Sequence, residues 1–128
     1  MTYKEGHFVW FELLTPDTGK ATAFYPEVVG WGTTTMDMGD FEYTMLTVGE
    51  QPQCGVIKPP MDGVPPSWTS YVSVDDVDAA AQRVTDNGGK IIVAGTDIPT
   101  VGRFSLVADP QGATFNLFRG AQSDDKSS

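Results

Sequence analysis

The sequence predicts an α+β fold made of two tandem βαβββ modules, and three observations carry that prediction. A strand-like run, an amphipathic helix and three short strand-like runs follow one another, and after a proline-rich break the same order returns. Asp17 and Asp76 open the two helical segments, Gly30 and Gly89 close them, and both pairs lie 59 residues apart. With 128 residues and 40% hydrophobic composition, the chain can bury about two-thirds of its unfolded surface and needs neither metal nor disulfide to fold.

Each element has a local reason. Residues 7–14, His-Phe-Val-Trp-Phe-Glu-Leu-Leu, are rich in apolar and aromatic types and stop at Thr15-Pro16-Asp17, which predicts a strand. After Asp17, the residues Ala21, Phe24, Tyr25 and Val28 fall on one helical face, and Gly30 ends the helix. Strands are expected over 32–38, 41–48 and 53–58, with Gly39-Asp40 as a tight hairpin turn and Gly49-Glu50 as a second separator. Residues 59–66 hold four prolines, which remove backbone donors and keep the chain extended as a semi-rigid linker. A strand over 67–74 follows, then a helix opened by Asp75-Asp76 and closed by Asn87-Gly88-Gly89. Three strands near 90–94, 103–108 and 113–119 complete the second module. The expected organisation is therefore a first module over 1–58, the linker 59–66, a second module over 67–120 and a polar tail over 121–128, all in one compact domain.

Composition excludes several partners. A net charge of −9 repels phosphate backbones and anionic membranes, so neither nucleic acid nor a membrane is expected, and the acidity serves solubility. No apolar stretch approaches the roughly 20 residues that span a bilayer, and the first ten residues form no signal peptide. The one cysteine, Cys54, has no intrachain partner and fits a buried core thiol. Together these features predict a cytoplasmic location.

Several segments resemble one family. They are the run from Trp10 to Asp17, Ala23-Phe24-Tyr25, Gly30-Trp31, the run from Tyr71 to Ala80, Gly102-Arg103-Phe104, and the run from Ala108 to Ala113. Taken singly, each has a structural reading: Asp109-Pro110-Gln111-Gly112 is good turn chemistry, and Asp17 and Asp76 are good N-caps. Their order resembles the glyoxalase/bleomycin-resistance/dioxygenase superfamily, the vicinal oxygen chelate proteins, over roughly residues 7–119. The resemblance implies two modules whose curved mixed sheets enclose a cavity, a homodimer, and in metal-dependent members four ligands from the first and last strands of each module.

Position by position, that ligand set is missing. The family's first-strand ligand lies seven residues before the capping aspartate, which places Trp10 and Thr69 there. An indole has no lone pair to give and a neutral hydroxyl binds weakly. The last-strand glutamate is replaced by Asn116, and residues 53–58 contain no acid or histidine. His7 falls three residues short of the expected position. No metal and no other cofactor is expected.

If Trp10 faces the cavity, strand alternation turns Glu12 and Leu14 the same way; the second module contributes Thr69, Tyr71 and Ser73, and Asn116 brings Thr114 and Phe118. These nine residues form an aromatic and polar lining that suits an organic small molecule, and they would equally fill a small core. Glu12 and Tyr71 are the candidate catalytic groups, Glu12 as a partly desolvated acid or base and Tyr71 as a hydrogen-bond donor; an ion pair of Glu12 with Arg103 or Lys58 is the structural alternative. The first functional expectation is a protein that binds and sequesters a hydrophobic or aromatic molecule. The second is a metal-independent isomerase, cyclase or hydrolase using Glu12 and Tyr71. The third is a metal enzyme with unusual ligands.

Overall fold

The computed structural model describes residues 5–39, 42–59 and 62–121. Asp40 of the expected hairpin, two linker residues and most of the expected polar tail lie outside them. The elements run β1 (Phe8–Leu14), α1 (Thr18–Val29), β2 (Gly32–Asp37), β3 (Glu42–Val48) and β4 (Gln51–Ile57), then β5 (Ser67–Ser73), α2 (Val77–Asp86), β6 (Lys90–Ile98), β7 (Gly102–Ala108) and β8 (Thr114–Gly120). This is the α+β, twice-repeated βαβββ order.

Contacts divide the chain into two compact units, Trp10–Thr69 and a second formed by residues up to Val9 together with Ser70 onward. The start of the chain groups with the second half because the Gly6 amide donates to the Ser73 carbonyl at 2.6 Å. The Ser73 amide in turn donates to the His7 carbonyl at 2.9 Å.

In the first unit the strands lie in the order β2-β3-β4-β1, with β1 parallel to β4 and the other neighbours antiparallel. The second unit has the order β5-β8-β7-β6, with β5 parallel to β8 and the rest antiparallel. Each half therefore pairs its first strand with its last, and the helix supplies the crossover that parallel pairing requires.

The cores match by position. In the first unit Leu13, Ala21, Leu46, Cys54 and Val56 form the cluster under α1. In the second, Ala80 stands where Ala21 stands, Val107 where Leu46 stands and Leu117 where Val56 stands, joined by Val77 and Ala81. Each large side chain buried in this way contributes roughly 1.5–3 kcal/mol. Small alanines on the helices let the helix backbones approach the sheets.

The helix starts agree with the 59-residue repeat. The Asp17 carboxylate accepts the Lys20 amide at 3.0 Å and the Asp76 carboxylate accepts the Ala79 amide at 3.0 Å. The helix ends depart from it. Gly30 caps α1 with φ of 77°, whereas α2 ends earlier, at Asn87, and the positive φ falls on Gly88 at 90°. Gly89, the residue 59 positions after Gly30, serves a different need: a Cβ there would lie 2.5 Å from the Ala108 carbonyl oxygen and 2.7 Å from Val84. It is glycine because the helix exit passes close to β7.

Candidate functional site

The faces of the first unit's sheet are sorted by strand alternation. Leu13, Leu46, Cys54 and Val56 point to α1, so Trp10, Glu12 and Leu14 point the other way, with Gly55 opposite Glu12 and Met45 opposite Gly55. Tyr43, two residues before Met45, shares this second face.

Three side chains on that face are joined in series. The Trp10 indole Nε1–H donates to the Tyr43 hydroxyl oxygen at 3.0 Å, and the Tyr43 hydroxyl donates to Glu12 Oε2. Glu12 is only 3% exposed, although it is a carboxylate. A charge that is buried to this degree needs hydrogen-bond donors, and the phenol is one. Burial first, and then the neighbouring Glu12 carboxylate, push the Tyr43 phenol far above its ordinary value, while the Trp10 hydrogen bond pulls the other way. Tyr43 therefore keeps its proton and remains a donor across the physiological range.

Gly55 makes this arrangement possible. A Cβ at that position would fall 1.7 Å from the Tyr43 hydroxyl oxygen and 2.8 Å from Glu12 Oε2. The phenol lies across the backbone of β4, in space that any side chain would occupy.

The second unit carries different groups in the matching row. Tyr71 pairs with Asn116 and Ser73 with Phe118 along β5 and β8. Tyr71 and Asn116 are buried, the Asn116 side-chain amide donates to the Ser70 carbonyl at 3.4 Å, and the Tyr71 and Phe118 rings meet edge to face at 5.8 Å. Ser73 is buried and tied through its backbone to residues 6 and 7. Thr114 stands exposed at the start of β8. Thr69 and Leu14 are buried in the first unit, and Trp10 is half-buried.

Of the residues named from sequence, the structure thus brings Trp10 and Glu12 into one hydrogen-bonded chain and Tyr71, Asn116 and Phe118 into another cluster. Arg103, one of the two cations considered for Glu12, binds Asp78 and Asp97 at 3.0 Å each. Sequence reasoning missed Tyr43 and Gly55. A glycine inside a strand signals close approach of another group and could have singled out Gly55, but nothing local ties Tyr43 to Glu12, 31 residues away.

The donor chemistry at the positions where relatives of this fold hold a metal does not fit a first-row cation. Trp10 and Thr69 are on the first strands and Asn116 on the last strand of the second half, and Gly55 occupies the matching place on β4. None offers imidazole or carboxylate. Among the described residues, no three His, Cys, Asp or Glu side chains gather into a metal-holding group. No helix among them is long and apolar enough to cross a membrane.

A repeated βαβββ half with parallel first and last strands defines a class of paired-module proteins, and comparison with known proteins agrees. The profile of the Glyoxalase/Bleomycin resistance protein/Dioxygenase superfamily matches residues 6–117, and the chain belongs to that superfamily. The chain is 42% identical over 117 residues to CFP32 of Mycobacterium tuberculosis, whose name marks it provisionally as a glyoxylase, covering 91% of this chain and 45% of that protein. It is 31% identical over 132 residues to the anthracycline biosynthesis protein DnrV of Streptomyces peucetius, covering 91% and 48%. The chain thus spans about half the length of these relatives. Among solved structures, methylmalonyl-CoA epimerase of Mycobacterium tuberculosis matches with a TM-score of 0.56 at 16% identity, covering 98% of this chain and 97% of that one. That likeness shows the fold.

Proposed function

We propose that this protein binds a hydrophobic or aromatic small molecule, in the cytoplasm and as a homodimer, against the sheet face that carries Trp10, Glu12 and Tyr43. The observation that carries this reading is the buried Glu12 carboxylate bonded to Tyr43 beside the Trp10 indole. An indole face and a fixed phenol suit a planar ring, and a buried carboxylate supplies one strong acceptor for a hydroxyl or a cationic group on it. Leu14 and Thr69 are the further contact residues of this reading in the same unit, and Tyr71, Ser73, Thr114, Asn116 and Phe118 are the candidate contact residues of the second unit taken by itself. The likeness to an anthracycline biosynthesis protein supports a polycyclic phenolic ligand. The single, buried cysteine suits a reducing compartment.

Titration of the protein with a panel of anthracycline-like and other phenolic polycycles, followed by tryptophan fluorescence and calorimetry, tests it. Saturable binding that weakens at least tenfold in Glu12→Gln is expected, and silence across the panel overturns it.

A second reading, metal-independent proton transfer at Glu12 with Tyr71 or Tyr43 as donor, is favoured by the same hydrogen-bonded carboxylate. It requires turnover that survives a chelator and disappears in Glu12→Gln; turnover lost to the chelator and restored by a divalent metal would reverse it.

A further inference from the structure

The two helices occupy the same place in their halves, yet their outward faces differ in kind. On α1, Phe24, Val28 and Val29 are each more than half exposed, and Ala23 is exposed beside them. The residues 59 positions later are Gln82 for Ala23 and Arg83 for Phe24 on α2, and its C-cap Asn87 for Val28. Identical positions thus carry a polar face in one half and an apolar face in the other. Solvent accounts for the α2 face and leaves the α1 face unexplained.

The apolar face continues past the helix. Phe24 meets Tyr25 edge to face at 5.0 Å, Tyr25 stacks on Trp31 at 5.9 Å, and Trp68, itself 44% exposed, packs against Tyr25 at 5.4 Å. Beside Phe24 runs an open, largely apolar groove of about 260 Å³, lined by Leu13, Ala21, Tyr25 and Pro66 with Thr15, Asp17 and Lys20 at its polar side. The exposed parts of Phe24, Val28, Val29 and Trp68 amount to roughly 400 Å² of apolar surface, which matches the apolar half of a standard interface of about 800 Å² per partner.

We propose that this α1 face is the surface on which a second copy of the chain docks, α1 against α1 about a two-fold axis. The assignment takes the homodimer of the preceding section as given and names its interface. Two features select a second copy. A projecting Phe24 beside an apolar groove makes the face self-complementary, as a two-fold interface requires. The chain carries a net charge of −9, so two copies repel over most of their surface; α1 holds one cation, Lys20, and one anion, Glu27, and is neutral.

Sedimentation velocity of the whole protein over a concentration series, for the wild type and for Phe24→Asp and Val28→Glu, tests the assignment. Both positions are exposed, and circular dichroism confirms that each variant is folded. The wild type is expected to be a dimer, and each variant to raise its dissociation constant at least about 30-fold, as loss of an interface hot spot does. Arg83→Asp, the α2 counterpart of Phe24→Asp, is expected to leave the dimer within about twofold of wild type, as exposed positions outside an interface do. A monomeric wild type overturns both the homodimer and this face. A dimer that survives both α1 substitutions overturns the face alone and leaves the homodimer standing on another surface.

Discussion

In the first half, the row across β1, β4 and β3 sets Glu12 opposite Gly55 and Gly55 opposite Met45; in the second, it sets Tyr71 opposite Asn116 and Asn116 opposite Leu106. The backbone pairing is the same, and the matched core residues show that the packing on the helix side is the same as well. What differs is the other face, where one half removes a side chain to admit a phenol and a carboxylate, and the other fills the position with an amide. The scaffold is specified by one face of each sheet, which leaves the opposite face free to change its chemistry.

The largest expected effect breaks the row where the halves differ most. Gly55→Val should destabilise the protein by about 3 kcal/mol, because its side chain occupies the place of the Tyr43 hydroxyl and crowds Glu12. Asn116→Val, at the matching position, replaces one side chain by another of similar size and should cost less, about 1 kcal/mol. Urea denaturation of both variants checks the order, and equal losses would remove the distinction between the halves.

Tyr43→Phe makes the first half resemble the second, where Phe104 holds the matching place on β7. It removes a charge-assisted hydrogen bond to Glu12 and should cost about 2 kcal/mol. A loss below about 0.5 kcal/mol would mean that Glu12 does not depend on the phenol.

The helix caps should show the halves at their most alike. Asp17→Ala and Asp76→Ala each remove one acceptor from an equivalent amide, so each should cost about 1 kcal/mol, read from thermal melts followed by circular dichroism. Losses differing by more than about 1 kcal/mol would show that the repeat in sequence does not extend to energetics.

A pH dependence at Tyr43 also sets the first half apart. Tyr43 holds its proton more tightly folded than unfolded, so its contribution is complete below the ordinary phenol value of 10.0 and is lost progressively as pH rises above it. The wild type should lose stability above that pH more steeply than Tyr43→Phe, measured by urea denaturation across the alkaline range. Parallel curves would show that the phenol is not held protonated.

Much of the scaffold was legible because its causes are local. Asp17 and Asp76 announce helix starts, strand alternation separates Leu13 from Glu12, and the prolines break the chain between the halves. The closing run Asn87-Gly88-Gly89 was legible, but the pairing of Gly89 with Gly30 failed because a glycine has two uses: Gly30 takes a positive φ, whereas Gly89 avoids a collision with β7, and the residues alone do not say which. The site was legible to the extent that it lies on a first strand, as Trp10 and Glu12 do. Tyr43 was not, because its approach to Glu12 depends on the register of β3 on β4 and of β4 on β1. Register between strands is set by pairing far apart in the chain.

Cys54 gives the first half a clock that the second half lacks. Its thiol is 2% exposed beneath the α1 side of the sheet, and burial raises it above its ordinary value, so in the closed protein it is both shielded and protonated. A thiol reagent can reach it only while β4 and its neighbours part, and the chain holds no other cysteine. The labelling rate, followed against urea, therefore times the opening of one half separately from the unfolding of the whole.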